Sequence, residues 1–139
     1  MSSVKEIEAG IDELGSVVAY LESVLPQNAI VFLRGDLAVG KTTLTQAIAK
    51  SRGVEAEVTS PTFSLQQCYT NDLYHYDLYR LEHEAFMQMG LFEEFEKPGW
   101  HLVEWGSDVL KTFLEGVGYN VFIVEITPAA TGRIYRIET

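Results

Sequence analysis

The chain has 139 residues, 47% of them hydrophobic, and its twenty acidic against ten basic side chains give a formal net charge of −10. That length holds one packed core rather than two, and the composition is too apolar for a disordered chain. The acidity argues against a protein that grips nucleic acid unaided, and one cysteine, Cys68, excludes internal disulfides and multi-cysteine metal sites. No apolar run approaches the roughly 18 to 20 residues that cross a bilayer. The opening MSSVKEIEAG has neither the charged head nor the apolar run of a signal peptide, so the cytoplasm is the expected compartment.

In chain order, Val4, Ile7, Ile11, Leu14, Val17 or Val18, Leu21 and Val24 recur every three or four residues and predict one amphipathic helix ending before Pro26. Residues 29–33, AIVFL, read as a strand buried on both faces. A glycine-bounded loop follows, and TTLTQAIAKSRG predicts a helix stopped by Gly53. TFSLQQCYT and LYHYDLYRL are β-rich runs split by the turn TND. EHEAFMQMG predicts a short helix closed by Gly90, and LFEEFEKPG a loop or a further helical turn. WHLVEW (100–105) is an apolar strand ending in an acid, and DVLKTFLEG is a helix. YNVFIVEIT and GRIYRIET form a last antiparallel pair around the PAATG turn.

The loop Gly35-Asp36-Leu37-Ala38-Val39-Gly40-Lys41-Thr42 fits the phosphate-binding pattern G-x4-G-K-[ST], placed between a strand and a helix as that pattern requires. Its glycines let backbone N–H groups curl around phosphate oxygens, and the helix directs its positive end at them. Lys41 is then the residue that reaches the β- and γ-phosphates, and the Thr42 hydroxyl a ligand for Mg²⁺. The expected fold is α/β: a single P-loop NTPase-like domain over residues 1–139, with a mixed, largely parallel central sheet flanked by helices. A P-loop enzyme also needs an acid near its metal at the end of a neighbouring buried strand, and Glu104 ends WHLVE. The plainer reading of Glu104 is a carboxylate at a strand end. Asp77, inside the apolar run YHYDLYR, either pairs with Arg80 or a loop donor, or faces a site where it positions water or a metal ligand. Ser60-Pro61-Thr62 follows the loop helix, where switch segments of such proteins lie, although Ser-Pro is also ordinary turn chemistry. His75, His83 and His101 lack metal-ligand spacing and read as structural. LFEEFE reads as a solvated edge or a docking surface.

GDLAVGKTT, VTSPTFSL, YHYDLYRL, LVEWG and a late GR, in this order and spacing, resemble the bacterial TsaE family, the small ATPases of tRNA threonylcarbamoyladenosine biosynthesis. The resemblance covers nearly the whole chain. It implies an ATPase that uses ATP and Mg²⁺ and works with TsaB and TsaD, meeting tRNA only through that complex and being a monomer when isolated. It implies phosphate contacts from Asp36, Leu37, Ala38, Val39, Gly40, Lys41, Thr42 and Thr43, a metal held by Thr42 and Glu104, and catalytic roles for Lys41, Asp77 and Glu104. It further implies a switch at Ser60, Pro61 and Thr62, Trp105 beside the site, and Arg133 approaching the nucleotide from the last strand. Two positions depart from the family pattern. Ala38 and Val39 replace the usual Gly-Ala, and a positive φ at Ala38 would cost about 1 kcal/mol. Ile11 stands where the family commonly has a threonine on the adenine side.

Two other functional classes fit the same loop, a small-molecule kinase and a non-catalytic nucleotide-dependent adaptor. Between Arg80 and the last strand the only basic residues apart from histidines are Lys97 and Lys111, thin for a phosphate-clamping lid. An adaptor has no need to retain Lys41, Thr42 and Glu104 together. A guanine-specific Asn-Lys-x-Asp string is missing, which favours ATP over GTP. With no arginine finger near the loop in sequence, hydrolysis by the isolated chain is expected to be slow and stimulated by partners.

Overall fold

In the computed structural model, which describes residues 3–35, 40–54, 66–69, 72–79 and 81–139, the chain begins with a strand and not with the helix expected from Val4. Strand β1 (Val4–Ala9) runs antiparallel to the last strand, from Val4 opposite Glu138 to Ala9 opposite Arg133. Its Lys5, Glu6 and Glu8 are exposed, as suits an edge strand that must not template further pairing. The three-to-four spacing from Val4 to Ile11 was therefore fortuitous. Gly10 ends the strand: its N–H donates to Glu13 Oε1 at 3.0 Å and its carbonyl accepts from the Glu13 N–H at 2.9 Å. A 3-10 turn (Ile11–Glu13) leads into α1 (Leu14–Val24), and from Leu14 onward the helical spacing holds, burying Leu14, Val17, Val18 and Leu21.

Strand β2 (Ala29–Arg34) is buried over its first five residues, and α2 (Lys41–Ser51) ends before Gly53, whose φ is 77°. Strands β3 (Gln66–Tyr69) and β4 (Leu73–Asp77) form the expected antiparallel pair. Helix α3 (His83–Gln88) is followed by Gly90 at φ 71° and a 3-10 helix (Leu91–Glu96). That 3-10 segment is more than a solvated edge, because Phe95 is buried in the core. Strand β5 (Trp100–Glu104) is buried throughout, and α4 (Asp108–Gly116) is capped by Ser107, whose Oγ accepts from the Leu110 N–H at 3.0 Å. Strands β6 (Val121–Pro128) and β7 (Arg133–Glu138) complete the sheet.

The strand order is β1-β7-β6-β2-β5-β4-β3. The neighbours β6, β2, β5 and β4 are mutually parallel, and the outer pairings are antiparallel. Only β7 and β3 run against the other five strands, so the sheet is mixed and largely parallel, as expected. Alternation along β2 and β5 sends Val31, Leu33 and Leu102 to one face, under α1 and α2. Ile30, Phe32 and Val103 face the other way, toward α3, the 3-10 helix and α4. Among the described residues, no helix is long and apolar enough to cross a membrane.

Candidate functional site

The carboxyl end of the central strand β2 runs into Gly35, and α2 starts at Lys41, so the glycine-bounded loop opens at the edge where ligands of open α/β sheets bind. Gly40 precedes the helix at φ 111°, a left-handed conformation that side chains resist. Lys41 is 4% exposed; its Nζ donates to the Gly35 carbonyl at 2.8 Å and stands 3.5 Å from the centre of the Trp105 ring. The ammonium thus bridges the mouth of the loop.

Helix and strand meet one residue later. Thr42 Oγ1 donates to Glu104 Oε2 at 3.2 Å, and Glu104 is 4% exposed. Among the described residues no three His, Cys, Asp or Glu side chains form a metal cage. A hydroxyl and a carboxylate at the N-terminus of a phosphate-loop helix suit Mg²⁺, which takes one or two protein oxygens and fills its remaining positions with water and substrate phosphate. The residues therefore fit that ion.

Trp105 follows Glu104 at φ 62°, a left-handed conformation costing of order 1 kcal/mol, and its ring lies 4.8 Å from that of Tyr79. Gly106 lies so close to the sheet that a Cβ there would meet the Phe32 ring at 2.5 Å. Strain and close packing after β5 hold Trp105 over Lys41.

Asp77 is opposite Glu104 in the β4–β5 register. It ends its strand and does not sit inside a longer apolar one; the half-buried carboxylate accepts from the Tyr79 N–H at 3.0 Å, closing the turn. Arg80, its alternative partner, lies outside the described residues. Arg133 begins β7, and with Ile11, Leu14, Gly40, Thr43 and Tyr135 it lines a hollow of about 90 Å³. Ile11 is 74% exposed at its rim. On the other side of Lys41 a hollow of about 290 Å³ is lined by Gly35, Trp105, Gly106 and Ser107, with the Arg34–Asp108 ion pair (2.7 Å) beside it. A larger hollow, about 420 Å³, lies at the amino ends of the strands beside Asn28, Lys97 and Tyr119 and contains none of the sequence-predicted site residues. Asp36, Leu37, Ala38, Val39, Ser60, Pro61 and Thr62 lie outside the described residues.

The histidines divide. His101 is structural: its Nε2–H donates to the Lys97 carbonyl at 2.8 Å and its Nδ1 accepts from the Tyr76 hydroxyl at 2.7 Å. The Tyr76 oxygen in turn accepts from Gln66 Nε2 at 3.1 Å. Burial holds the His101 imidazole below its ordinary pKa and pushes the Tyr76 phenol up. His75 belongs to the site. It is wholly buried, and its Nε2 lies 2.5 Å from Glu104 Oε2. The signal that could have found it is parity: Leu73, His75 and Asp77 share one face of β4, the face on which β5 carries Leu102 and Glu104.

The model of the family described as "Threonylcarbamoyl adenosine biosynthesis protein TsaE" matches residues 8–133. A protein of Treponema pallidum named tRNA threonylcarbamoyladenosine biosynthesis protein TsaE is 40% identical over 98 residues, covering 68% of this chain and 70% of that protein. Proteins of the same name from a Nostoc species and from Bacillus subtilis are 38% and 43% identical over 94 and 79 residues. Those matches cover 63% and 55% of this chain, and 58% and 49% of the relatives' own lengths. The crystal structure of Bacillus subtilis YdiB superposes with a TM-score of 0.68 over 100% of this chain and 87% of its own, at 24% identity, and shows the same fold. With a match from the first strand to the start of the last and a shared fold, the chain belongs to the TsaE family of threonylcarbamoyl adenosine biosynthesis proteins.

Proposed function

We propose that this chain is a Mg²⁺-dependent ATPase that serves the threonylcarbamoyl modification of the adenosine next to the anticodon in tRNAs reading codons that begin with A. In this reading it works in the cytoplasm on a TsaB–TsaD pair and turns over slowly by itself. The observation that carries the reading is the convergence of Lys41, Thr42 and Glu104 at one point, the start of α2.

The chain's own residues do the following. Backbone N–H groups at the start of α2 receive the phosphates. Lys41 leaves the Gly35 carbonyl for the β- and γ-phosphates, and the Trp105 face guards its position. Thr42, whose hydroxyl now donates to Glu104, would turn it to Mg²⁺, and Glu104 would help to hold that ion. Mg²⁺ held there would supply positive charge against the negative charge on the phosphoryl oxygens. Asp77, beside Glu104 at the same sheet edge, positions the attacking water or couples the site to a partner. Arg133 and Ile11, next to Gly40 and Thr43, flank the nucleoside end. Ser60, Pro61 and Thr62 are assigned the switch by resemblance alone. With a charge of −10, the chain leaves the tRNA to its partners.

The test is ATP turnover with Mg²⁺, alone and with the TsaB–TsaD pair, for wild type and Glu104→Ala. The reading expects feeble turnover alone, a rise with the pair, and collapse in the variant. Fast turnover by the isolated chain, unaltered by the pair, would overturn the partner-coupled cycle.

A further inference from the structure

We infer that His75 is the positioning residue of Glu104: its Nε2–H holds one carboxylate oxygen and leaves the other for the metal ion or its water. The inference rests on the metal role of Glu104 given above.

Among the described residues two polar groups reach the Glu104 carboxylate, both at Oε2: Thr42 Oγ1 donates at 3.2 Å, and His75 Nε2 lies 2.5 Å away. Among the described residues no donor reaches Oε1. The two donors differ in what happens to them when nucleotide binds. Thr42 must turn its hydroxyl to Mg²⁺, so its bond to Glu104 is temporary. His75 sits in the middle of β4, fully buried and locked by pairing to β5, and has no reason to move. It keeps Glu104 in place while Thr42 changes partner.

The proton is assigned by exclusion. His75 Nδ1 is buried with no hydrogen-bond partner among the described residues. A proton on Nδ1 would leave a buried N–H unpaired, which folded chains rarely tolerate. A proton on Nε2 leaves only a lone pair there and makes the short contact a donation to the carboxylate. A histidine retained only for packing would be an odd choice at this position. An apolar side chain would fill the same space with no polar nitrogen to bury. The contact that His75 makes is with the acid proposed for the metal, the arrangement by which outer groups orient metal-holding carboxylates.

The test compares His75→Leu, His75→Gln and Glu104→Ala with wild type. Gln is chosen because its Nε2 can occupy the place of the imidazole Nε2 and donate. Free Mn²⁺ is followed by electron paramagnetic resonance during titration with ADP and protein. ADP affinity in EDTA and the melting midpoint are measured alongside. His75→Leu is expected to weaken Mn²⁺·ADP binding about 10- to 100-fold, with ADP affinity in EDTA unchanged, and His75→Gln to recover most of the loss. Adding His75→Leu to Glu104→Ala is expected to cause no further loss. Weak Mn²⁺·ADP binding in Glu104→Ala with normal binding in His75→Leu overturns the inference alone. So does a Gln variant as weak as the Leu variant with both melting early, which marks a packing role. Normal binding in Glu104→Ala removes the metal role of Glu104, and this inference with it.

Discussion

Lys41 holds the Gly35 carbonyl and the Trp105 ring, contacts that it must loosen to reach a phosphate. Nucleotide binding should therefore change the emission of Trp105. Trp105→Phe is expected to abolish the change, because the other tryptophan, Trp100, is buried and stacked on Arg52 at 4.2 Å. A fluorescence titration with ADP reads this directly. Glu104 carries a second prediction. Glu104→Ala and Glu104→Gln should each lower partner-stimulated turnover by roughly 10²- to 10³-fold, the loss typical of one group that stabilises developing charge. They should differ in stability. Alanine leaves the buried His75 N–H without an acceptor, at about 1–3 kcal/mol, whereas glutamine retains an oxygen there. Chemical denaturation of the two variants separates the effects. At this scale the sequence was legible in placement where a motif names its residues: Lys41 and Thr42 open α2, as the motif requires. His75 was not legible, because its role depends on the register between two strands whose paired residues lie 27 positions apart in the chain, His75 opposite Leu102, and no spacing rule encodes that register.

The short elements around β5 are tied to the sheet by close contacts rather than by long loops. Gly106 lets the chain turn directly onto Phe32. Gly106→Ala should cost about 1–3 kcal/mol by overpacking, and it should also disturb Trp105 next to it; a denaturation curve with an ADP titration tests both. The Gln66–Tyr76–His101–Lys97 chain of hydrogen bonds joins β3, β4 and β5. Element by element, the buried runs were the readable ones. β2 and β5 are apolar on both faces because helices cover both, and such runs permit few other placements. The N-terminal element was misread. The apolar spacing of Val4, Ile7 and Ile11 mimics a helix, but an edge strand with one half-buried face carries little alternation to oppose that pattern. Its identity comes from β7, more than a hundred residues away, which supplies its hydrogen bonds.

At the scale of the whole molecule, charge and titration set the working range. The His101 pKa is lowered in the folded chain from an ordinary 6.5, chiefly by burial. Below about pH 6.5 the unfolded chain therefore binds the proton more readily, and stability falls as pH drops from about 7 toward 5. Tyr76 works at the other limb. Burial raises its pKa above the ordinary 10.0, so stability is lost as the unfolded phenol ionises above about pH 10. Urea midpoints measured across pH should fall at both ends, and the acid limb should shrink in His101→Asn. The net charge of −10 adds an expectation about tRNA. The isolated chain should give no mobility shift with tRNA at about 0.15 M salt, where long-range attraction is screened and acidic side chains outnumber basic ones two to one.

The sequence by itself determined the class of fold and carried the phosphate-loop pattern. Both depend on local chemistry: apolar runs at strand length, glycines that permit a tight loop, and a lysine and threonine at the start of a helix. Composition alone also argued against direct nucleic-acid binding. Tertiary structure decided what is long-range. Pairing with β7 made 4–9 a strand, the parallel β4–β5 register set Asp77 beside Glu104 and His75 against it, and β7 brought Arg133 to Gly40 and Thr43. Hydrogen bonds between distant strands are what fix these neighbours, and a linear string carries the residues for such bonds without stating which of them meet.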